Sequence, residues 1–411
     1  MEKKFKRVKI SKKYKNKFKK NLNNSPENII LFINLSKIIS IFCLTIIFFI
    51  IIKKFYKTNI FDNYIHIALN IDNKYIYPCI VYLTSLLDNK ADSTFYIIHI
   101  LTGDNINKDI FYKVNATIEK FAANSANVTF YNMKDQFRKA THGGFISVAA
   151  YYRISLSSLL PEVEKIIYTD SDVITFKDLS EMYNIKLGEK IYYCGGLDSG
   201  FLVGEIKHYF KINLDKYMNS GILIMNLTAI RKDYVETNLK NFISSHFLNH
   251  HEQTAINALY YNNIQVLPYK YSCFAFDSYD KIVTFNNKQN EAYRFDETEL
   301  KEAFYSPTII HFPGYIKPWD KKCTNMRKAY WWYYANRSLF YQEILVRYNF
   351  SNKEVEEILN QIPKEGSLIK KKINKNKENK RSNNWLKLMI GLIDINLLIY
   401  FFYIINLFYI Y

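Results

Sequence analysis

Two aspartates one residue apart, Asp170 and Asp172, close a short apolar run, Lys165–Thr169, that reads as a buried strand. The helical stretch Val148–Leu160 precedes it and is stopped by Pro161. Carboxylates at i and i+2 just past a strand leave the pleat as the chain turns, so both can converge on one cation. Oxygen ligands of this kind suit a hard divalent ion such as Mn²⁺ or Mg²⁺. The same spacing also caps turns and helices, and the pair alone leaves both readings open.

Three later segments offer partners. Asn219-Ser220-Gly221 opens the apolar strand Ile222–Leu227, and His251-Glu252-Gln253-Thr254 starts a helix that runs on to Leu259. A last short strand, Thr308–His311, leads into Phe312-Pro313-Gly314-Tyr315-Ile316-Lys317-Pro318-Trp319. A histidine at a strand end can complete an aspartate metal site. Gly314 permits close backbone approach, and Lys317 can neutralise a phosphate. Alone, His311 also reads as a hydrogen-bonded structural histidine; its company favours the ligand.

These residues need a frame, and the pattern from Ile65 onward supplies one. His66–Ile71 reads as a strand ending at Asp72, Ile76–Leu87 as an amphipathic helix, and Phe95–Leu101 as a second strand stopped by Thr-Gly-Asp. A helix over Ile106–Phe121 and a strand over Asn127–Tyr131 follow, and Ile191–Leu197 is a further apolar strand. Strands alternating with helices and joined by short polar turns imply an α/β fold with a mixed, mostly parallel sheet flanked by helices. In such sheets ligands gather at the carboxyl ends of the strands.

The formal net charge of +18 is confined to the ends of the 411-residue chain. Residues 58–363 carry 32 Lys and Arg against 33 Asp and Glu, which argues against a specific nucleic-acid partner. Residues 1–20 hold eleven Lys or Arg, so 1–28 reads as a basic, solvated arm. The apolar run 29–52 that follows is long enough for a transmembrane helix, and Lys53 and Lys54 stand where a signal cleavage site belongs. Seven Lys or Arg between Lys370 and Arg381 mark a basic linker, 364–384. The aromatic run 385–411 carries Lys387 and Asp394 and reads either as a second membrane segment or as an interfacial one. Five scattered cysteines suggest neither a zinc ribbon nor a disulfide framework.

In order along residues 65–320, the segments His66-Ile-Ala-Leu-Asn-Ile-Asp72, Tyr151-Tyr-Arg-Ile154, Ile167-Tyr-Thr-Asp-Ser-Asp-Val173, Asn219-Ser-Gly221, Glu252-Gln253 and His311 to Trp319 resemble glycosyltransferase family 8. That family groups retaining transferases, among them bacterial lipopolysaccharide galactosyl- and glucosyltransferases and glycogenin. The resemblance implies a GT-A, Rossmann-like nucleotide-diphospho-sugar transferase over 58–320, with the aromatic 321–363 as a helical extension. It implies that Asp170, Asp172 and His311 coordinate Mn²⁺, with Mg²⁺ the alternative, and that the ion bridges the diphosphate of a UDP-sugar. Ala68, Asn70, Asp72 and Tyr75 would line the uridine and ribose pocket, while Asn219, Ser220 and Gly221 would also face the donor. Gly314 and Lys317 match the diphosphate clamp, and Arg153 matches an arginine held near the donor.

Gln253 falls where the family places a debated nucleophile or stabilising amide; an amide is a poor nucleophile, which favours a polarising role. Glu252 stands where many relatives have Asp, and Asp198 would bind sugar hydroxyls. The implied activity is transfer of glucose or galactose, with retention, to a glycan or glycolipid acceptor, as in lipopolysaccharide biosynthesis. Two alternatives use the same residues: an inactive membrane-anchored sugar-nucleotide-binding scaffold, and a metal-dependent nucleotidyltransferase. For topology, the basic arm favours a single-pass type II protein with a luminal catalytic domain. Lys53, Lys54, Lys57 and the cluster from Lys370 favour instead a catalytic domain facing the cytoplasm on an anionic leaflet, the reading preferred here.

Overall fold

The structure is a computed structural model and describes residues 63–134, 136–137, 147–198, 206–208, 210–211, 215–246, 248 and 250–362, besides positions 34 and 45. Apart from those two positions, the basic arm, the apolar run 29–52, the linker 364–384 and the run 385–411 lie outside the described residues. Among the described residues no helix is long and apolar enough to cross a membrane.

Three βα steps start the fold. Strand β1 (Asn63–Ile71) leads to α1 (Ile76–Asp88), β2 (Thr94–Thr102) to α2 (Asp109–Ala122), and then comes β3 (Ala126–Asn132). The odd-numbered residues of β1, from Ile65 to Ile71, face one core together with α1 and α2. The even ones face the other side, a consequence of the two-residue period of a strand. Helix α1 buries nearly its whole length, from Ile76 to Leu87, and Pro78 is tolerated because it sits in the first turn, where no backbone acceptor precedes it.

The stretch expected as a helix over Val148–Leu160 is instead a 3₁₀ helix, Val148–Ser155, continued by one α-helical turn, α3 (Leu156–Leu159). Ser147 caps it, its side chain accepting from the Ala149 N–H. Every residue from Ala149 to Ser155 is buried, so contacts on all sides, rather than amphipathic periodicity, set the backbone here.

Strand β4 (Lys165–Thr169) carries the chain into the short β5 (Val173–Thr175), α4 (Ser180–Tyr183) and β6 (Tyr193–Leu197). Strand β7 spans Met218–Asn226, so Asn219-Ser220-Gly221 lies inside it and not before it. The strand starts early because Gly221 still accepts the Asp170 N–H at 2.7 Å. It stops at Asn226, whose side chain caps α5 (Leu227–Lys232), so Leu227 belongs to the helix. Helices α6 (Val235–Ser245) and α7 (His251–Tyr260) follow, then β8 (Ile264–Val266), β9 (Cys273–Phe274), α8 (Tyr279–Asn287), α9 (Glu297–Tyr305) and β10 (Ile309–His311).

The large sheet has seven strands in the order β3-β2-β1-β4-β7-β6-β8, and β5-β10-β9 form a smaller one. Strands β1 to β4 are mutually parallel, β7 runs antiparallel to both β4 and β6, and β8 is parallel to β6. The sheet is therefore mixed with a parallel majority, as the alternation of elements implies.

Helices α10 (Lys328–Arg337), α11 (Tyr341–Tyr348) and α12 (Asn352–Leu359) complete the described chain. Trp331, Trp332 and Tyr334 of α10 share one buried cluster with Val81 of α1, Ile174, Ile310, Phe312 and Trp319. Packing therefore runs without a break across residue 320, and the aromatic Ala329–Ala335 segment is core.

Candidate active site

The carboxyl ends of β1 and β4, the 3₁₀ segment, the start of β7, the first turn of α7 and the loop after β10 surround one cleft of about 1340 Å³. At its floor, β4 ends at Thr169 and releases Asp170 and Asp172. Strand β10 pairs antiparallel with β5, placing His311 opposite Val173, and the Phe312 N–H donates to the Asp172 carbonyl at 3.0 Å. One potential ligand atom from each of Asp170, Asp172 and His311 lies within 4.8 Å of the others.

The surroundings test whether a cation fits there. Asp172 Oδ1 and both His311 ring nitrogens are buried without a hydrogen bond among the described residues, although Asp172 Oδ1 and His311 Nε2 stand only 3.3 Å apart. Buried polar atoms are seldom left so, and converging lone pairs of this kind fit a metal. Gly221 supplies the room: a Cβ there would meet His311 Cε1 at 2.4 Å and Asp170 Oδ2 at 2.8 Å. Glycine is required by that close approach.

Each aspartate is held by a cation. Arg153, fully buried on the 3₁₀ helix, donates to Asp170 Oδ1 at 2.9 Å and to the Ala150 and Ser220 carbonyls. Its Nε also stands 3.3 Å from Glu252 Oε1. The Lys317 ammonium donates to Asp172 Oδ2 at 2.6 Å and to the Phe312 carbonyl at 2.8 Å. Burial by itself raises the Asp172 carboxyl, but Lys317 and His311 outweigh it and hold the group well below the usual carboxylate range. Glu252 goes the other way: burial raises its carboxyl against the pull of Arg153, and Asp170 adds to the rise.

Beside the Asp170, Asp172 and His311 cluster lies a clamp of amides. Gln253 Oε1 accepts from the Ser220 N–H at 2.9 Å, and its Nε2 donates to Asp198 Oδ2 at 3.2 Å. A backbone N–H must face the amide oxygen and a carboxylate the amide nitrogen, so these partners settle which way the Gln253 amide points. Asn219 donates to the same Asp198 oxygen at 2.7 Å, and the Ser220 hydroxyl donates to Glu252 Oε1 at 2.9 Å. Glu252 Oε2 is buried with no hydrogen bond among the described residues.

On the other side, Asn70 donates to the Ala149 carbonyl at 2.6 Å and thereby pins the 3₁₀ helix to β1. Asp72 accepts from the backbone N–H groups of Lys74 and Tyr75, which sets the start of α1. Tyr75 packs edge-on against Trp319, with ring centroids 5.9 Å apart. A Cβ at Gly314 would meet nothing within 4 Å, so the space beside it is open to a ligand.

The structure brings all of the sequence-derived site residues to this cleft except Ala68, which is fully buried in the core on β1. Lys317, expected as a phosphate ligand, is paired here with Asp172. Residues given no role from the sequence also line the cleft, among them Ser147 to Ala150, His250, Trp319 and Asp320. Tyr168, which donates to Asp170 Oδ1 at 2.8 Å, was likewise not singled out; its place two residues before the first aspartate was the available signal.

The cleft thus sets an aspartate pair and a histidine at a strand end of a mixed, mostly parallel sheet. The chain belongs to glycosyl transferase family 8, whose family model matches residues 66–323. It is 24% identical to General stress protein A of Bacillus subtilis over 282 residues, covering 67% of this chain and 94% of that protein. It is also 24% identical to Glycosyltransferase GlyF of Streptococcus pneumoniae over 280 residues, covering 68% of this chain but 62% of the relative. Among solved structures, the galactosyltransferase LgtC in complex with donor and acceptor sugar analogs superposes with a TM-score of 0.55 at 18% identity, over 67% of this chain and 96% of that one. The bifunctional glycosyltransferase WbbM gives 0.58 at 17% identity, over 70% of this chain and 52% of that one. At these identities the two structures speak to the fold, which is GT-A-like.

Proposed function

We propose that this glycosyltransferase moves a neutral hexosyl group, glucose or galactose, from a UDP-sugar to a glycan or glycolipid acceptor with retention of configuration, using Mn²⁺. The observation that carries the reading is the convergence of Asp170, Asp172 and His311 beside Lys317 at the floor of the cleft. A divalent cation bound there supplies Lewis-acid stabilisation of the departing diphosphate. Lys317 is within reach of the same place and adds a positive charge where the leaving group gains a negative one. As the anomeric C–O bond breaks, its electron pair goes to the diphosphate oxygen, and the acceptor hydroxyl passes its proton to that oxygen as the new bond forms on the same face. Gln253, locked between Ser220 and Asp198, presents a fixed dipole rather than a nucleophile. Glu252 and Asp198 place carboxylates beside it; they can accept from sugar hydroxyls and repel a donor that is itself a carboxylate.

For the membrane, the basic segments that flank the catalytic unit support a cytoplasm-facing enzyme working on a membrane-surface acceptor, with the luminal type II arrangement as the other reading. The test is release of UDP from a panel of UDP-sugars by the full chain, with Mn²⁺ titrated and Asp170→Asn alongside. Metal-dependent release from one donor, lost in the variant, is the expected result and names the sugar. No release from any donor, with no Mn²⁺-dependent UDP binding, would favour the inactive scaffold.

A further inference from the structure

Among the described residues, Asp170 is held by the protein through one oxygen only. Its Oδ1 accepts twice: from Tyr168 Oη at 2.8 Å and from an Arg153 terminal nitrogen at 2.9 Å. The two donors support each other, since the Arg153 guanidinium lies 4.1 Å above the centre of the Tyr168 ring. Both are buried, Tyr168 at 0% exposure and Arg153 at 3%, so water cannot readily replace either. Oδ2 points the other way, into the gap left by Gly221, toward His311.

We infer that Tyr168 is a positioning residue which, with Arg153, locks Asp170 into offering a single oxygen to the metal and so sets the ion preference of the site. This rests on the metal reading proposed above. A small ion held at near-octahedral angles favours a single oxygen from a carboxylate, because the narrow bite of two strains those angles. Calcium, larger and more flexible in geometry, gains from carboxylates that swing to offer both. With Oδ1 engaged by two buried donors the second mode is closed. Releasing one donor frees the carboxylate to rotate, which weakens binding of the small ion and admits the large one.

The experiment uses the full chain and Mn²⁺ alone as probe, read as the free-Mn²⁺ electron paramagnetic resonance signal, with Ca²⁺ as competitor. Tyr168→Phe keeps the ring and its stacking on Arg153 and removes only the hydroxyl. The expected result is Mn²⁺ binding about tenfold weaker, at the lower end of the effect of removing a partner of a metal ligand. The Mn²⁺ over Ca²⁺ preference should fall with it. Turnover should show a raised KM for Mn²⁺ with kcat largely recovered at saturating metal, a split that a general packing defect would not produce. If Tyr168→Phe does not fold, Arg153→Lys removes the other donor while keeping the charge, and the same loss of Mn²⁺ preference is expected. Unchanged Mn²⁺ affinity and unchanged ion preference in a folded variant would overturn the positioning role, while wild-type binding that Asp170→Asn abolishes would leave the metal reading standing. Wild type failing to bind Mn²⁺ at all would overturn both.

Discussion

Gly221→Ala is the sharpest probe of the proposed metal site. The added methyl would start 2.4 Å from His311 Cε1, 2.8 Å from Asp170 Oδ2 and 3.0 Å from Asn219 Oδ1. Ordinary contact with a ring carbon is about 3.5 Å, so the imidazole must retreat by roughly 1 Å. Ligand distances in a working metal site are held to about 0.2 Å, so a shift of that size takes His311 out of coordination. We expect Mn²⁺ affinity to drop at least tenfold, together with about 1–3 kcal/mol of stability from overpacking. The control is Gly195→Ala on β6, where the clash at 2.7 Å is with Met218 and no metal-site residue is touched. Both variants should lose stability in urea melts, and only Gly221→Ala should lose Mn²⁺ in the resonance titration. A folded Gly221→Ala protein that binds Mn²⁺ like wild type would refute the ligand assignment of His311.

Lys317→Met separates two roles of one ammonium. Lys317 neutralises Asp172, so its removal should strengthen binding of Mn²⁺ alone while weakening binding of UDP in the presence of Mn²⁺; calorimetry with each ligand reads both, and weaker binding of both would argue against the two roles. A pH effect arises away from the cleft, where His66 Nδ1 meets His99 Nε2 at 3.0 Å and His99 Nδ1 meets the Tyr131 hydroxyl at 3.1 Å. Burial, reinforced by His66, lowers the His99 imidazole from its ordinary pKa of 6.5 to about 4. The unfolded chain then binds the extra proton first, so this contribution is intact above pH 6.5 and is lost as pH falls toward 4, costing about 2 kcal/mol between pH 7 and pH 5. Urea melts of wild type and His99→Gln over that range should show the shallower slope in the variant.

Much of the frame is legible in the sequence because period-two and amphipathic patterns report directly on which face is buried. Strand Lys165–Thr169 is found with the expected ends, and β1, β2 and β3 extend the expected runs by one to three residues at an end. Legibility fails where tertiary contacts set the backbone. The Val148–Ser155 segment is buried on every side, so no helical period distinguishes its tight 3₁₀ turns from an α-helix. Asn219-Ser220-Gly221 looks like a turn in composition, yet it continues a strand because a partner carbonyl and N–H extend the ladder. The residues of the cleft are readable one at a time by type; their mutual clamping is not. That Lys317 pairs with Asp172 and that Gln253 is held between Ser220 and Asp198 depend on loops meeting from distant parts of the chain.

The loop that carries Lys317 ends at Pro318 and Trp319, and both are stapled to the C-terminal helices. The Trp332 indole donates to the Pro318 carbonyl at 3.1 Å, and Trp319 lies 5.2 Å from Trp331 and 5.9 Å from Tyr348, centre to centre. During synthesis the aspartates leave the ribosome some 140 residues before His311 and Lys317, and the aromatic partners of Trp319 on α10 and α11 follow later still. A half-made chain therefore has the two aspartates of the cleft and neither the histidine nor the lysine that faces them.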